Sequence, residues 1–152
     1  MMKKLVTLLT LVIMSISSTC LAFEQPDPDR WLWLNSNDKY GTWLDMRTLN
    51  FDKITNSYSH TGHESANCWL QIYNSQDDTT MFINEIIDLK CRKSCAVSIT
   101  LYDKDKNIIN SIDNNILDLK SIIPNSNGEL VYLTVKKAKD LWDQNMPKEN
   151  YN

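Results

Sequence analysis

Strict alternation of apolar and polar residues in the middle of the chain constrains its fold more than any other feature. Every second residue between Val97 and Leu101 is apolar, and residues 68–73 show the same period of two. Because successive side chains of a strand point to opposite sides of a sheet, this period predicts strands with one side buried. Short polar turns separate the candidates, which predicts consecutive antiparallel strands. The further strand candidates are Met81–Leu89 and Ile108–Ile112.

Two short aromatic segments precede these strands. Trp31–Leu34 and Thr42–Met46 flank the polar stretch Asn35–Gly41, a pattern typical of a β-hairpin. Residues 48–65 are polar with scattered apolar positions, and we expect a long connection there with at most one irregular strand.

The last third of the chain changes to a helical period. Residues Ser126–Glu129 have the pattern of a capping box, in which the Ser hydroxyl and the Glu carboxylate satisfy backbone N–H groups at a helix start. Apolar residues then recur at helical spacing, and Pro147 predicts the end of the helix. The residues expected to face the core are Val131, Val135, Ala138 and Trp142. Strands followed by this helix predict a mainly β, α+β domain.

The N-terminus has the layout of a signal peptide. Lys3 and Lys4 precede a short apolar run, and small residues follow it. Cleavage between Ala22 and Phe23 would leave residues 23–152 as a single exported domain in the periplasm, on the outer surface or outside the cell. In the alternative reading Cys20 is the lipidated first residue of a lipoprotein, which would place the protein on a membrane.

Composition excludes several classes of function. The chain of 152 residues has a net charge of −3 and only three glycines. A mildly acidic domain without a basic block argues against nucleic acid as a partner. The lack of a glycine-rich loop argues against phosphate-binding enzymes.

The cysteines predict a disulfide but not its pairing. Cleavage after Ala22 leaves Cys68, Cys91 and Cys95, an odd number, so one thiol would remain or would bridge two molecules. Cys91 and Cys95 could bridge across a turn. Cys68 could instead bridge to either of them across neighbouring strands.

Metal and calcium sites are weakly indicated. His60, His63 and Glu64 lie within five residues, but zinc proteases arrange these residue types in a different order. Asp103–Asn107 begins like a calcium loop, yet Ile108 stands where such a loop needs Gly and Asn114 where it needs Glu. We therefore expect a solvated loop and a hairpin turn, with no metal and no cofactor.

Binding is better indicated than catalysis. No Gly-x-Ser-x-Gly nucleophile motif occurs, and paired acids such as Asp77 and Asp78 fall in an expected turn. On the first strand, tryptophans would point to one side and leucines to the other, so a single helix cannot cover both sides. Trp and Tyr dominate the energetics of protein interfaces. The candidate binding residues are Trp31, Trp33 and Trp43. In the alternative reading these tryptophans pack in the core between the sheet and the helix.

The order of these motifs resembles the surface-adhesin protein E family, small exported domains of bacterial envelopes. The resemblance covers residues 30–142. It rests on Arg30–Ser36, Gly41–Asp45, Trp69, Asp88–Cys91 and Ile123–Ser126.

The resemblance implies a curved antiparallel sheet of about six strands with a C-terminal helix packed on it. It also implies an adhesin-like, non-enzymatic function, with a protein ligand such as a host extracellular protein. The family ties the cysteine at the position of Cys91 to one in the helix, but no cysteine follows Cys95 here. The helix must therefore be held by packing, or a disulfide must cross-link the sheet elsewhere. The alternative function is that of a periplasmic inhibitor or accessory protein of an envelope enzyme.

Overall fold

A computed structural model of the chain describes residues 26–53 and 64–145. The predicted leader, with Cys20 and the Ala22–Phe23 cleavage site, lies outside these ranges, as do His60 and His63. The described residues form eight strands and one helix, α1. The strands are β1 Trp31–Ser36, β2 Tyr40–Asp45, β3 Asn50–Lys53, β4 Glu64–Asn74, β5 Thr79–Asp88, β6 Lys93–Tyr102, β7 Ile108–Asp113 and β8 Lys120–Ser121. The helix α1 is Asn127–Asn145.

All strands join one antiparallel sheet. Six of them follow the order β1-β2-β4-β5-β6-β7, while β3 pairs with the start of β4 and β8 pairs with the start of β6. The strands β4 to β7 follow each other through hairpin turns, which confirms the predicted meander. The mainly β, α+β fold class and the curved sheet with a C-terminal helix are therefore correct.

One row of aliphatic side chains crosses the whole sheet. Each member of the row pairs with the next on the neighbouring strand, so all six point to the same side. We call this side the helix side, because α1 packs against it. The row consists of Leu32, Leu44, Leu70, Ile83, Ile99 and Ile112.

The core lies between the helix side of the sheet and α1. Val131, Tyr132 and Val135 of the helix are buried against the middle strands. Each large apolar side chain that is fully buried here stabilises the fold by about 1.5–3 kcal/mol. Val131 and Val135 were predicted from their spacing, whereas Tyr132 was not. The sheet residues of this cluster are Leu44, Ala66, Cys68, Leu70 and Ile87.

The start of α1 is capped largely as predicted. The Glu129 N–H donates to Ser126 Oγ at 3.2 Å. The Glu129 carboxylate accepts from the N–H of Asn125 at 2.7 Å, one residue earlier than a capping box requires. Glu129 also pairs with Arg92, and the Tyr132 hydroxyl donates to the Leu89 carbonyl at 3.1 Å. These contacts hold the helix to the β5–β6 turn without a disulfide.

The far end of α1 is less buried than its spacing predicts. Trp142 is 51% exposed, although its ring meets Phe51 edge-on at 6.0 Å between centroids. The expectation that Trp142 belongs to the core is therefore only partly met. Among the described residues, no helix has the length and apolar character to cross a membrane.

Candidate ligand-binding face

The side of the sheet opposite α1 is rich in aromatic residues, and we call it the aromatic side. The alternation of side chains along β4 explains which residues lie on this side. Ala66, Cys68 and Leu70 face the helix, so Trp69 and its odd-numbered neighbours on β4 face away from it. Since the helix packs on the other side, these side chains are not covered by it. The aromatic side is therefore left open by α1.

Nine half-buried residues on this side form a three-by-three block at the centre of the sheet, three on each of β4, β5 and β6. The strand register places them in three rows. Four are aromatic and five carry an amide or hydroxyl group, and none is charged. We call this set the neutral block. Its rows are Trp69, Asn84, Ser98; then Gln71, Phe82, Thr100; then Tyr73, Thr80, Tyr102.

Aromatic rings are in contact across this block. The ring centroids of Trp31 and Phe82 lie 5.8 Å apart. Those of Phe82 and Tyr102 lie 5.7 Å apart, in a T-shaped arrangement. Both separations are within the favourable range for aromatic pairs. Trp31 belongs to β1, so the twist and curvature of the sheet must bring the start of β1 towards β5 on this side.

An ion pair between the partly exposed Arg30 and the buried Asp45 positions Trp31. Arg30 donates to the Asp45 carboxylate through Nη2 at 2.7 Å and Nε at 3.0 Å, and its guanidinium lies 5.2 Å from the Trp31 ring centroid. The Asp45 side chain is fully buried. Burial raises the pKa of Asp45, but hydrogen bonds from Arg30 and the Arg47 N–H outweigh it and hold the pKa below its ordinary value. Asp45 is therefore charged and holds Arg30 over Trp31.

The three predicted binding residues lie on the aromatic side with different exposure. Trp33 is 57% exposed and pairs across the strands with Trp43. Trp43 is only 8% exposed, and Trp31 is half-buried beneath Arg30. Trp33 is thus the one that presents most of its ring to solvent, while Trp43 and Trp31 support the surface.

Sequence reasoning missed most of the neutral block. The alternation in β4, β5 and β6 is the signal that could have identified its members, because each strand places aromatic and polar residues on the side away from the core. Knowing which residues become neighbours also requires the register between strands. Asn84 adds one feature that sequence does not reveal, since its Oδ1 is buried and accepts no hydrogen bond within the described part of the chain.

Of the predicted metal and calcium ligands, His60 and His63 lie outside the described residues. Residues 26–53 and 64–145 contain no group of side chains that could hold a metal ion. Glu64, the one described member of the histidine cluster, lies 3.7 Å from Lys139. The Asp103 carboxylate accepts from the N–H groups of Asp105 and Asn107, each at 2.8 Å, so the suspected calcium loop is a hairpin turn.

No disulfide joins Cys68, Cys91 and Cys95. The strand β5 lies between Cys68 on β4 and Cys95 on β6, and strands two apart are roughly 9–10 Å from each other, too far for a disulfide. The proposed bridge from Cys68 to Cys95 is therefore wrong. Cys68 is fully buried; burial, together with the charge of Glu85, raises the pKa of its thiol to about 12.

Two concavities border α1 on the helix side. One, of about 330 Å³, is lined by charged groups that pair with each other, such as Lys139 with Asp143 at 2.5 Å. The other is an apolar groove of about 510 Å³ between the end of α1 and the start of β3, with Phe51 and Trp142 among its walls.

Comparison of the chain with family models, curated proteins and solved structures gives no match.

Proposed function

We propose that this protein is an exported, non-enzymatic module of the cell envelope or cell exterior that binds a protein ligand, such as a host extracellular protein, through the aromatic side of its sheet. The observation that carries the proposal is the group of rings Trp31, Phe82 and Tyr102, which lies with the exposed Trp33 on the side that α1 leaves open. Large aromatic patches on a protein surface are typical of interaction sites.

A binding role suits the chemistry of this face. The neutral block itself contains no carboxylate, imidazole or thiol. Its Tyr73 hydroxyl donates to Asp78 at 2.8 Å, but burial and this carboxylate raise the pKa of Tyr73, so the hydroxyl is not activated as a nucleophile. The rings are held by contacts with each other and by the Arg30–Asp45 pair. A rigid surface loses little conformational entropy when it binds, which favours affinity.

The resemblance to the surface-adhesin protein E family supports the same proposal. The architecture that it implies, a curved sheet with a C-terminal helix, agrees with the fold. The leader pattern in residues 1–22 supports export. The intact mass of the protein from its native envelope should correspond to a chain that begins at Phe23, or to one that begins at a lipidated Cys20 in the membrane-anchored alternative. An intact leader on all of the protein would contradict export.

Binding is tested with two matched tryptophan variants. Trp33 and Trp142 are exposed to similar extents, 57% and 51%, but lie on opposite sides of the sheet. We expect the full-length protein to bind at least one extracellular matrix protein in surface plasmon resonance. Trp33→Ala should weaken this binding about ten-fold or more, whereas Trp142→Ala should leave it unchanged.

The unfolding temperature of each variant shows that folding is retained. Two results would overturn the proposal: the absence of binding to every matrix protein tested, or equal weakening by both substitutions. If the protein instead captured one stoichiometric enzyme from periplasmic extract, the inhibitor alternative would replace it.

A further inference from the structure

The absence of charge in the neutral block points to the chemistry of its ligand. Charged residues make up 23% of the chain, yet the nine central positions of the aromatic side hold none. Protein-binding hot spots are enriched in Arg as well as in Trp and Tyr, and partner surfaces are usually matched by charge. Charged side chains stand only around the block: Asp113 opposite Ser98, Asp78 at the Tyr73 hydroxyl and Arg30 over Trp31. A ligand centred on the block would therefore meet no charge, which suits a ligand that is itself uncharged.

Aromatic and hydrogen-bonding groups alternate across the block. Gln71 lies between Trp69 and Tyr73 along β4, while Phe82 lies between Thr80 and Asn84 along β5. Across the strands, Phe82 is flanked by Gln71 and Thr100. Each ring is therefore next to an amide or a hydroxyl, groups that both donate and accept hydrogen bonds.

We propose that the neutral block binds uncharged carbohydrate. A pyranose ring has an apolar face of C–H groups, which stacks on an aromatic ring, and a rim of hydroxyls, which bond to amides and hydroxyls. The alternation in the block supplies both kinds of contact at the spacing of neighbouring side chains. This inference rests on the proposed function, because it identifies the recognised part of the extracellular protein as its glycan.

The dimensions of the aromatic side suit an oligosaccharide rather than a single sugar. One row runs from Trp33 on β1 through Gln71 and Phe82 to Thr100 and Ser111 on β7. Measured along the curved sheet, a path over six strands about 4.8 Å apart is roughly 24 Å long, enough to contact several sugar rings. Trp33 at one end is exposed and available for stacking.

Polar groups at two places on the aromatic side can form further hydrogen bonds with a ligand. The half-buried Thr100 and the exposed Ser111 place their hydroxyls 3.2 Å apart, so the one that accepts within the pair can donate outward. Asn84 Oδ1 accepts no hydrogen bond, although buried acceptors in folded proteins are almost always paired. A ligand hydroxyl that displaced a neighbouring side chain would supply the missing donor.

The test uses the purified full-length protein and a panel of uncharged oligosaccharides, namely cello-, malto- and N-acetylated chito-oligosaccharides of four to six units. Saturation-transfer difference NMR should show transfer to the ring C–H protons of at least one of them, and titration calorimetry should give its Kd. Tyr102→Leu removes a ring of the block, and Thr100→Val removes a hydroxyl at constant volume. Each should weaken binding about ten-fold, the effect of losing one stacking or hydrogen-bonding contact.

Tyr40→Leu is the matched control, because Tyr40 is 43% exposed and lies on the helix side of β2. It should leave the Kd unchanged. The inference is overturned if no oligosaccharide binds at about 10 mM, a concentration at which even a weak site is occupied. It is also overturned if Thr100→Val and Tyr102→Leu bind as tightly as the unaltered protein, or if Tyr40→Leu weakens binding equally.

One further comparison separates this inference from the proposed function. Removing the glycans of a matrix protein with an endoglycosidase should abolish its binding. Full binding to the deglycosylated protein, still sensitive to Trp33→Ala, would overturn the carbohydrate inference and support a protein ligand. Oligosaccharide binding without any matrix-protein binding would support the inference and overturn the protein-ligand proposal.

Discussion

The indole of Trp43 lies over Gly41, two residues earlier on β2. A Cβ atom added at Gly41 would stand 2.3 Å from Cη2 and 2.6 Å from Cζ3 of that ring, far inside any van der Waals contact. Trp43 is buried and pairs with Trp33 on β1 and Gln71 on β4. The lack of a side chain at Gly41 therefore lets a large ring lie against the backbone of β2.

Gly41→Ala should lower the free energy of unfolding by about 1–3 kcal/mol, because the added methyl group forces the Trp43 ring out of its position. Urea unfolding followed by tryptophan fluorescence measures the change. Gly128→Ala is the control, since its Cβ would meet Ser126 Oγ at an ordinary 3.4 Å and Ala favours the helix. A Gly41→Ala variant as stable as the unaltered protein would show that the ring does not depend on this glycine.

The Arg30–Asp45 pair predicts a pH-dependent contribution to stability. Arg30→Gln leaves the buried Asp45 carboxylate without its main donor, so stability at pH 7 should fall by about 1–3 kcal/mol. The pKa of Asp45 is lower in the folded than in the unfolded state. The ion pair therefore contributes its full stability above the ordinary carboxyl pKa. This contribution is lost as the pH falls through the lower pKa that Asp45 has in the folded protein.

Urea unfolding at a series of pH values checks this sign. The difference between Arg30→Gln and the unaltered protein should be largest near neutrality and shrink in acid. Arg47→Gln is the control, because Arg47 lies 3.6 Å from Asp27 and both side chains are exposed, a pair worth less than about 0.5 kcal/mol. A difference that grew in acid would contradict the assigned pKa direction.

The strands and the helix could be predicted because their signals are local. The alternation around Val97–Leu101 and the capping residues Ser126 and Glu129 depend only on near neighbours in sequence. The Trp31–Leu34 segment could be predicted as a strand for the same reason, and it forms most of β1. Burial of Val131 and Val135 followed from helical spacing, since one face of the helix must meet the sheet.

The neutral block could not be predicted because it depends on register and curvature. The β5–β6 register shifts by one residue between Asn84 and Glu85, and only the observed shift places Asn84 beside Ser98. A one-residue difference would have moved side chains to the other side. The Trp31–Phe82 contact depends on the curvature of the whole sheet. The half-exposed Trp142 likewise depends on how α1 lies along the sheet.

The contribution of Glu85 to folding stability should depend on pH in the opposite sense to that of Asp45. Glu85 on β5 lies opposite Cys68 on β4, on the helix side of the sheet. Burial raises the pKa of Glu85, and its hydrogen bond with Ser94 lowers that pKa by less. The folded protein therefore holds this proton to higher pH than the unfolded chain does, and stability is lost as the pH rises through the raised pKa. Glu85→Gln should stabilise the protein by roughly 1 kcal/mol at pH 7 and less in acid.

The same substitution at a second glutamate is the control. Hydrogen bonds from the Asn125 N–H and from Arg92 hold the pKa of Glu129 below its ordinary value, so Glu129→Gln should destabilise the protein at pH 7. Thermal unfolding of both variants at pH 7 and pH 4 compares them. A loss of stability at neutral pH in Glu85→Gln would contradict the prediction for Glu85.

Lys106 adopts a backbone conformation that favours glycine. Its φ is 65°, in the left-handed region, within the β6–β7 turn capped by Asp103. Lys106→Gly removes the steric cost of a Cβ there but adds chain entropy to the unfolded state. The net effect should be a gain of about 0.5–1 kcal/mol, or roughly 2–4 °C in Tm.

The neighbouring Lys104 provides the comparison. It is exposed in the same turn, but its φ is not positive, so Lys104→Gly adds only the entropic cost and should lower stability slightly. Calorimetric unfolding of the two variants should therefore shift Tm in opposite directions. A shift of the same sign in both would mean that lost lysine charge, rather than backbone conformation, controls the stability of this turn.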